Sequence, residues 1–392
     1  MKKYISIGVH ELDTYLDYAI LSIIAIYSLH ATPSEMGILG ACFAIPFLVA
    51  SGLFGKLFDN GNVLNWRTLL FFINGIVMPF LSIADPIIFL YVITLIKTTC
   101  RCGLGISNTK LNVDDNESQK FYEVYGYIIN FSRIVIPLFV VYLNTNYGLW
   151  FVLLLSMTFN LVGMLTSYFD DTFRLDVNAS VSSAAVERFS FIQQLKNKPD
   201  LYLLVSAYTL SNLAFFLSND MLGIFFERIG QNESSIGYII SLLGVGGIVG
   251  TRVSGWLLKK LSAKNVLLFS IMINFVAFWG FGFLDAKIHH YATYYLLVFL
   301  VGTASGVTFF AIRYGVRNII GFEHVGKATG DIQKISSVVA ILMPIIGGYI
   351  AKLISIEFTF KLTSILLAVI FLYFLFKKHK LTEERNKYVQ PK

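Results

Sequence analysis

Charged side chains interrupt several of the long apolar runs in this sequence. Lys97 and Arg101 lie four residues apart in one run, and Arg133 lies near the middle of the next. A charge at the centre of a bilayer costs about 2.5 to 3.5 kcal/mol on insertion scales, so such side chains usually face the protein interior and often serve a function. Guanidinium groups bind carboxylates and phosphates through paired hydrogen bonds. We therefore interpret Lys97, Arg101 and Arg133 as contacts for an anionic group.

Each of these cations also has a structural interpretation, which the sequence leaves open. Arg133 would then belong to an internal ion pair that holds spans together. Lys97 and Arg101 share one helix face, and two like charges there require a shared anion or acidic neighbours. Those acids can belong to the protein itself, for example Asp13 or Asp17.

Two acidic residues at the start of the first apolar run are the predicted proton carriers. Asp13 and Asp17 are four residues apart and share a helix face. A low-dielectric environment favours the neutral form of a carboxyl group, which allows it to load and release a proton during a cycle. Asp17 lies deeper in the run and is the preferred carrier. A salt bridge to a basic loop at the inner surface is the alternative.

Three further polar residues are predicted contacts of the substrate. Asn130 precedes Arg133 by three residues and shares its face, and Asn212 lies in the seventh run. Lys334 in the eleventh run is an additional substrate contact. The alternative for Lys334 is a self-neutralised pair with Asp331, three residues earlier.

The elements that position these residues follow from the composition. Hydrophobic residues make up 56% of the 392 residues and charged residues 14%, whereas a soluble chain has roughly 25% charged residues. A spanning helix needs roughly 20 mostly apolar residues, and continuous runs of this kind exclude the alternating strands of a membrane barrel. The sequence therefore predicts an all-α polytopic membrane protein with twelve transmembrane helices, near 12–30, 35–57, 66–84, 86–108, 121–143, 148–169, 200–226, 234–258, 264–284, 291–314, 326–351 and 357–377.

Lys and Arg are distributed unevenly over the connections between these spans. With both termini cytoplasmic, 22 lie on the inner side and four on the outer side, the four being Arg228, Lys287, Lys352 and Lys361. This bias agrees with the positive-inside rule for a protein with an even number of spans. It explains the net charge of +7 without a nucleic-acid partner. We expect a multi-pass protein in the bilayer of the cell inner (plasma) membrane.

The twelve runs are predicted to form two pseudo-symmetric six-helix bundles. The polar segment 170–199 is the longest inner connection and is the predicted cytoplasmic linker. It separates an N-terminal bundle, 1–169, from a C-terminal bundle, 200–378, which is followed by a cytoplasmic tail, 379–392. Residues repeat at an offset of 200, as in Ser34 and Ser234, Gly37 and Gly237, and Gly55 and Gly255. Such a repeat indicates duplication of a six-span unit.

A motif follows the second run and is partly repeated after the eighth. It reads "GKLFD" from Gly55 to Asp59, with Arg67 downstream, and its copy "GWLLKK" begins at Gly255. The motif resembles the loop signature of the major facilitator superfamily. The resemblance extends over nearly the whole chain through the span number, the linker position and the segment "FSFIQQLKNKPDLYLL". Asn60 departs from the family's basic residue beside Asp59, and Lys259 stands where the second copy could have an acid.

The resemblance implies how such a protein works. Members of the family give alternating access to a central site between two bundles, and a monomer is the family expectation. Gly55, Lys56, Asp59, Arg67 and Gly255 would form a conformational switch at the inner surface. In it, Asp59 accepts hydrogen bonds from the amides that begin a neighbouring span, while Lys56 or Arg67 bridges to a carboxylate.

Together these observations predict a secondary active transporter of a small organic, anionic or carboxylate-bearing solute. Arg101, followed by Gly103 and Gly105, resembles the buried arginine of proton-linked exporters. This favours proton-coupled efflux of a metabolite, a siderophore-like compound or a drug. Proton-coupled uptake and a non-transporting sensor are the alternatives. An enzyme is disfavoured, and no cofactor or metal is predicted, because the cysteines and histidines lack metal-ligand spacing and no nucleophile elbow occurs.

Overall fold

The computed structural model of the protein describes residues 2–59, 63–83, 86–108, 115–170, 190–285, 290–321 and 325–389, and contains no strand within them. Most of the predicted linker, 170–199, lies outside these residues. The helices are α1 (Lys2–Ile23), α2 (Pro33–Val49), α3 (Ser51–Asp59), α4 (Val63–Ile76), α5 (Ile87–Ser107), α6 (Asp115–Tyr147), α7 (Leu149–Tyr168), α8 (Phe191–Asn197), α9 (Pro199–Ser218), α10 (Leu222–Arg228), α11 (Ser234–Leu257), α12 (Ala263–Phe283), α13 (Tyr291–Ile320), α14 (Val325–Leu353) and α15 (Ile356–Val389).

Eleven helical stretches in the described ranges are long and apolar enough to cross a membrane. The predicted first span is α1, which supplies the twelfth. It begins at Lys2 rather than near residue 12 and continues as a π-helical turn, Ile24–Ser28. Its early turns carry buried polar side chains, among them Ser6 and His10, so hydropathy alone places the start of the helix too late. The all-α polytopic prediction is confirmed.

The repeated segments begin their helices with local caps. Thr32 is the N-cap of α2 and Pro33 occupies its first turn, while the Thr32 backbone N–H donates to Glu35 Oε2 at 2.7 Å. In the second copy the backbone N–H of Ser234, which begins α11, donates to Asn232 Oδ1 at 3.2 Å. Capping of this kind satisfies amide groups that have no partner within the helix. The sequence repeat thus coincides with two helix starts.

Contacts within the chain define two compact units. The first consists of Met1–Ala185 with Asp220–Gly244, and the second of Val186–Asn219 with Val245–Lys392. In the first unit α1 packs against α6 and α7, α4 packs against α5 and α7, and α2 packs against α5. In the second unit α12 packs against α13 and α15, and α9 packs against α14 and α15.

This division differs from the predicted halves because the beginning of α11 packs closely on α6. A Cβ added to Gly237 would lie 3.0 Å from the carbonyl oxygen of Pro137. The Ser241 hydroxyl donates to the carbonyl of Ile134 at 2.6 Å. These contacts assign residues 220–244 to the first unit, while the bundle boundaries inferred from the sequence repeat stay a prediction.

Glycines of the second and eighth runs are predicted to let neighbouring helices approach. This is confirmed at Gly246 and Gly250 of α11, where an added Cβ would collide with the backbone of α13. It is wrong at Gly52 and Gly255, where a Cβ would meet nothing within 4 Å. The sequence shows where side chains are missing, but the packing decides which of those positions face another helix.

We expect Gly250→Ala to destabilise the protein and Gly255→Ala to leave it nearly unchanged. The first substitution forces a Cβ into the carbonyl group of Thr303, and overpacking of this kind costs about 1 to 3 kcal/mol. Thermal unfolding of the purified variants in detergent measures the difference. Equal unfolding temperatures for the two variants would contradict the α11–α13 packing.

Candidate functional site

A buried ion cluster lies in the first unit and consists of Asp13, Asp17 and Lys97. The Lys97 side chain is 1% exposed, and its Nζ atom lies 3.1 Å from Asp17 Oδ1 and 3.7 Å from Asp13 Oδ2. Nζ also donates to the carbonyl of Asn74 at 3.2 Å. The alternative interpretation of Lys97, with acids from the protein itself, therefore describes this conformation. Its contact with a substrate stays a prediction.

The two carboxylates of the Lys97 cluster are held differently. Asp13 accepts hydrogen bonds from Asn74 Nδ2 at 2.7 Å, from Asn160 Nδ2 at 2.9 Å and from the Ser156 hydroxyl. The Oδ1 atom of Asp17 accepts no hydrogen bond in the described part of the chain and has only its ion pair with Lys97. When both acids are ionised, the cluster holds one more negative than positive charge.

Arg101 lies one turn beyond Lys97 on α5 and is surrounded by aromatic rings. Its Nη2 atom donates to the Tyr18 hydroxyl at 2.8 Å. The guanidinium carbon lies 4.4 Å from the Tyr18 ring centre and 5.4 Å from that of Phe47. Aromatic faces compensate a desolvated cation only in part. Among the described residues, Arg101 forms no ion pair with a carboxylate.

Arg133 is half-buried on α6. Within the described ranges its guanidinium takes part in no hydrogen bond, ion pair or ring contact. Its aliphatic stem packs on Gly244, where an added Cβ would lie 3.1 Å from Cγ. Tyr15 of α1 lies within electrostatic range of both Arg133 and Arg101. Asn130 is exposed on α6, one turn before Arg133.

Arg67, the basic residue downstream of the loop motif, has a buried side chain. It is 0% exposed on α4. It donates to Ser6 Oγ at 2.8 Å, to Ser167 Oγ at 2.9 Å and to Asn108 Oδ1 at 2.7 Å. These bonds join α4 to α1, to α7 and to the end of α5. Such a buried network stabilises the unit as it stands, whereas the role of Arg67 in a conformational switch stays a prediction.

The remaining motif residues are only partly described. Gly55, Lys56 and Asp59 have helical backbone within α3, and their side chains lie outside the described part of the structure. Gly255 lies within α11 and is half-buried. A Cβ added to Gly255 would meet nothing within 4 Å, so no close helix contact at this position supports its predicted role in a switch in this conformation.

Two predicted contacts lie in the second unit. Asn212 is half-buried on α9. Lys334 is exposed on α14 and donates to Asp331 Oδ1 at 3.0 Å. The self-neutralised pair, which was the alternative for Lys334, is the arrangement observed here.

The polar side chains that support the cluster of Asp13, Asp17 and Lys97 were not predicted from the sequence. Asn74, Ser156 and Asn160 are buried and bind Asp13 from α4 and α7. Glu11 is 8% exposed and accepts from the Tyr125 hydroxyl at 2.8 Å, although its position in sequence suggests an interfacial residue. The available signal was the amide side chains inside apolar runs, since such groups hydrogen-bond across helices in a bilayer.

Comparison with known proteins identifies the family. The sequence profile of the Major Facilitator Superfamily matches residues 5–333. The chain belongs to this superfamily. None of the curated protein sequences matches it. As a member of the superfamily, the protein is a multi-pass membrane protein and a secondary transporter of small molecules that works by alternating access, and it is not an enzyme.

Solved transporters of the superfamily share the fold. A mutant of the nucleoside transporter NupG has a TM-score of 0.77 at 13% identity, covering 95% of this chain and 98% of that one. A bacterial homologue of the human lysosomal transporter Spinster, in an inward-facing and unoccupied conformation, has a TM-score of 0.74 at 12% identity, covering 95% of each chain. At these identities the likeness establishes the facilitator fold and leaves the solute to be inferred from the site.

We expect Lys97→Met to destabilise the transporter by about 3 to 5 kcal/mol, because it leaves two buried carboxylates without their cation. The double variant Lys97→Met with Asp17→Asn should regain part of this loss, since one of the two charges is then removed. Thermal unfolding of both variants and of Asp17→Asn alone measures the effect. A Lys97→Met protein as stable as the parent would show that the ion pairs do not hold the cluster together.

Proposed function

We propose that this transporter carries a small organic solute with a carboxylate or another anionic group. The observation that supports this most directly is Arg133, a half-buried cation within a spanning helix that has no acidic partner in the described part of the chain. A cation in this environment is costly unless an anion accompanies it. The solute supplies that anion, and the fork of the guanidinium binds a carboxylate through two hydrogen bonds.

Arg101 and neighbouring polar residues extend this site. Arg101 has aromatic and hydroxyl partners rather than a carboxylate, so it retains the capacity to attract an anion. Asn130, on the same helix as Arg133, offers an amide for the same solute. Asn212 and Lys334 are proposed as contacts from the second half of the sequence. Lys97 is assigned to the proton-linked cluster, because it is already paired with two acids.

Asp17 is the proposed proton carrier. Asp13 is held by three side-chain donors in addition to Lys97, whereas Oδ1 of Asp17 has only Lys97. Because the cluster has one excess negative charge when both acids are ionised, one proton on Asp17 makes it neutral. Burying a neutral cluster costs less desolvation free energy than burying a charged one. Loading and release of this proton would couple the cycle to a pH gradient.

Efflux is the proposed direction, on the basis of the exporter-like Arg101 with Gly103 and Gly105. The proposed location is the plasma membrane, with both termini cytoplasmic and the protein a monomer. Proton-coupled uptake is the second candidate, and one observation favours it. Arg101 donates a hydrogen bond to Tyr18, the residue next to Asp17, so a solute bound at Arg101 and a proton on Asp17 would occupy neighbouring positions on α1. Solute and proton would then bind together.

The anion site is tested with matched pairs of acids and uncharged amides. We expect benzoate and glutarate to raise the unfolding temperature of the purified transporter more than benzamide and glutaramide do, because a ligand that binds the folded state stabilises it. Arg133→Gln should weaken acid binding by about tenfold to a hundredfold, the effect of losing a charge-assisted contact. Arg133→Lys keeps the positive charge but loses the paired guanidinium donors, so its acid affinity should lie between those of the parent and of Arg133→Gln.

Two results would reject the anion site. One is equal stabilisation of the parent by the acids and by their amides. The other is an acid affinity that Arg133→Gln leaves unchanged.

Proton coupling is tested in proteoliposomes with radiolabelled glutarate and an imposed pH gradient. We expect the gradient to drive glutarate in the parent, and expect Asp17→Asn to exchange glutarate without responding to the gradient. Movement towards the acidic compartment identifies antiport and hence efflux, and movement away from it identifies symport. Asp13→Asn serves as the control and should lower stability instead, because Asp13 accepts several buried hydrogen bonds. Gradient-driven transport by Asp17→Asn at the parental rate would exclude Asp17 as the carrier.

A further inference from the structure

Gly244 of α11 lies where the stem of Arg133 crosses that helix. An added Cβ at this position would lie 3.1 Å from Arg133 Cγ, 3.4 Å from Arg133 Cδ and 3.1 Å from Ile134 Cγ1. Carbon atoms in favourable contact are about 3.5 to 4.0 Å apart. A side chain at position 244 would therefore crowd the arginine stem and displace it by a few tenths of an ångström. All of these residues belong to the first compact unit.

Two further contacts join α6 and α11 beside this one in this conformation. The Ser241 hydroxyl donates to the Ile134 carbonyl at 2.6 Å, and Gly237 lies against the backbone of Pro137. Positions 237, 241 and 244 share one helix face, since they are four and three residues apart. A shift of either helix to make room for a side chain would lengthen that hydrogen bond, so the Arg133 stem is the part that would move.

Packing, rather than polar contacts, sets the position of the Arg133 guanidinium. Arg67 and Arg101 are oriented by hydrogen bonds from their guanidinium groups. Arg133 has no such bond among the residues that the structure describes. The path of its stem over Gly244 is therefore the main constraint on where its charge lies.

We propose that Gly244 is a positioning residue for the anion site. By lacking a side chain it lets the Arg133 stem pass over α11 and directs the guanidinium to the solute. This inference rests on the proposed anion transport. It adds that α11 takes part in anion binding without touching the solute, and that the affinity for the anion depends on the α6–α11 contact.

A double-mutant cycle tests this inference with benzoate and glutarate as probes. Their dissociation constants are measured for the parent, Gly244→Ala, Arg133→Gln and the double variant. We expect Gly244→Ala to weaken acid binding by about threefold to tenfold, typical of coupling between residues in contact. In the Arg133→Gln background, Gly244→Ala should have no further effect, and binding of benzamide and glutaramide should not change. Gly8→Ala on α1 is the matched control and should bind as the parent does, because a Cβ there would meet nothing within 4 Å and Gly8 belongs to none of the proposed sites.

Ser241→Ala provides a second variant that removes atoms and so cannot cause a collision. It deletes the hydrogen bond that fixes α11 to Ile134 and should also weaken acid binding only when Arg133 is present. If Gly244→Ala and Ser241→Ala weaken binding equally with and without Arg133, or not at all, the positioning role is wrong. If Arg133→Gln itself leaves the acid affinity unchanged, the proposed anion transport fails instead. The two failures are therefore distinguishable.

Discussion

Within a helix bundle in a bilayer, each buried charge needs a partner, because no bulk water is present to solvate it. The first unit meets this requirement in different ways for four cations of its described helices. Lys97 has two carboxylates, Arg67 has hydroxyl and amide oxygens and lies near Asp170, and Arg101 has a phenol and aromatic faces. Arg133 has only an apolar contact along its stem in the described part of the chain. The degree of compensation falls along this series, and the demand for an external anion rises with it.

This series separates the residues that hold the unit together from those available to a solute. Arg67 and Asp13 each make at least three side-chain hydrogen bonds from neighbouring helices, so any movement of one helix leaves several polar groups unsatisfied. Such residues suit a unit that moves as a rigid body. Asp17 and Arg133 have few or no such bonds, and a change in their charge state or partner disturbs little else. The chemistry of transport is therefore expected at Asp17 and Arg133.

The fold was largely predictable from the sequence, because apolar runs of about twenty residues have few alternatives in a bilayer. The charged candidates could also be identified from the sequence, since the free-energy penalty for burying them is large. The partners of these charges could not be identified in this way. Helical spacing shows that Lys97 and Arg101 share a face. It cannot show that α1 places Asp17 beside Lys97 and Tyr18 beside Arg101. The early start of α1 and the burial of Arg67 were missed for the same reason, because both depend on polar side chains supplied by helices distant in sequence.

The proposed anion and proton sites are linked through two pairs of neighbouring residues. On α1, Asp17 and Tyr18 are adjacent, and on α5, Lys97 and Arg101 are one turn apart, so the proton site and the Arg101 part of the anion site involve the same two helices. Coulomb coupling between neighbouring sites has a definite sign. A bound anion and a bound proton carry opposite charges, so each favours the binding of the other. Antiport requires the opposite sign, which arises only if the proton and the solute use the site in alternate conformations. The order of binding, rather than the identity of the residues, therefore decides whether this site drives efflux or uptake.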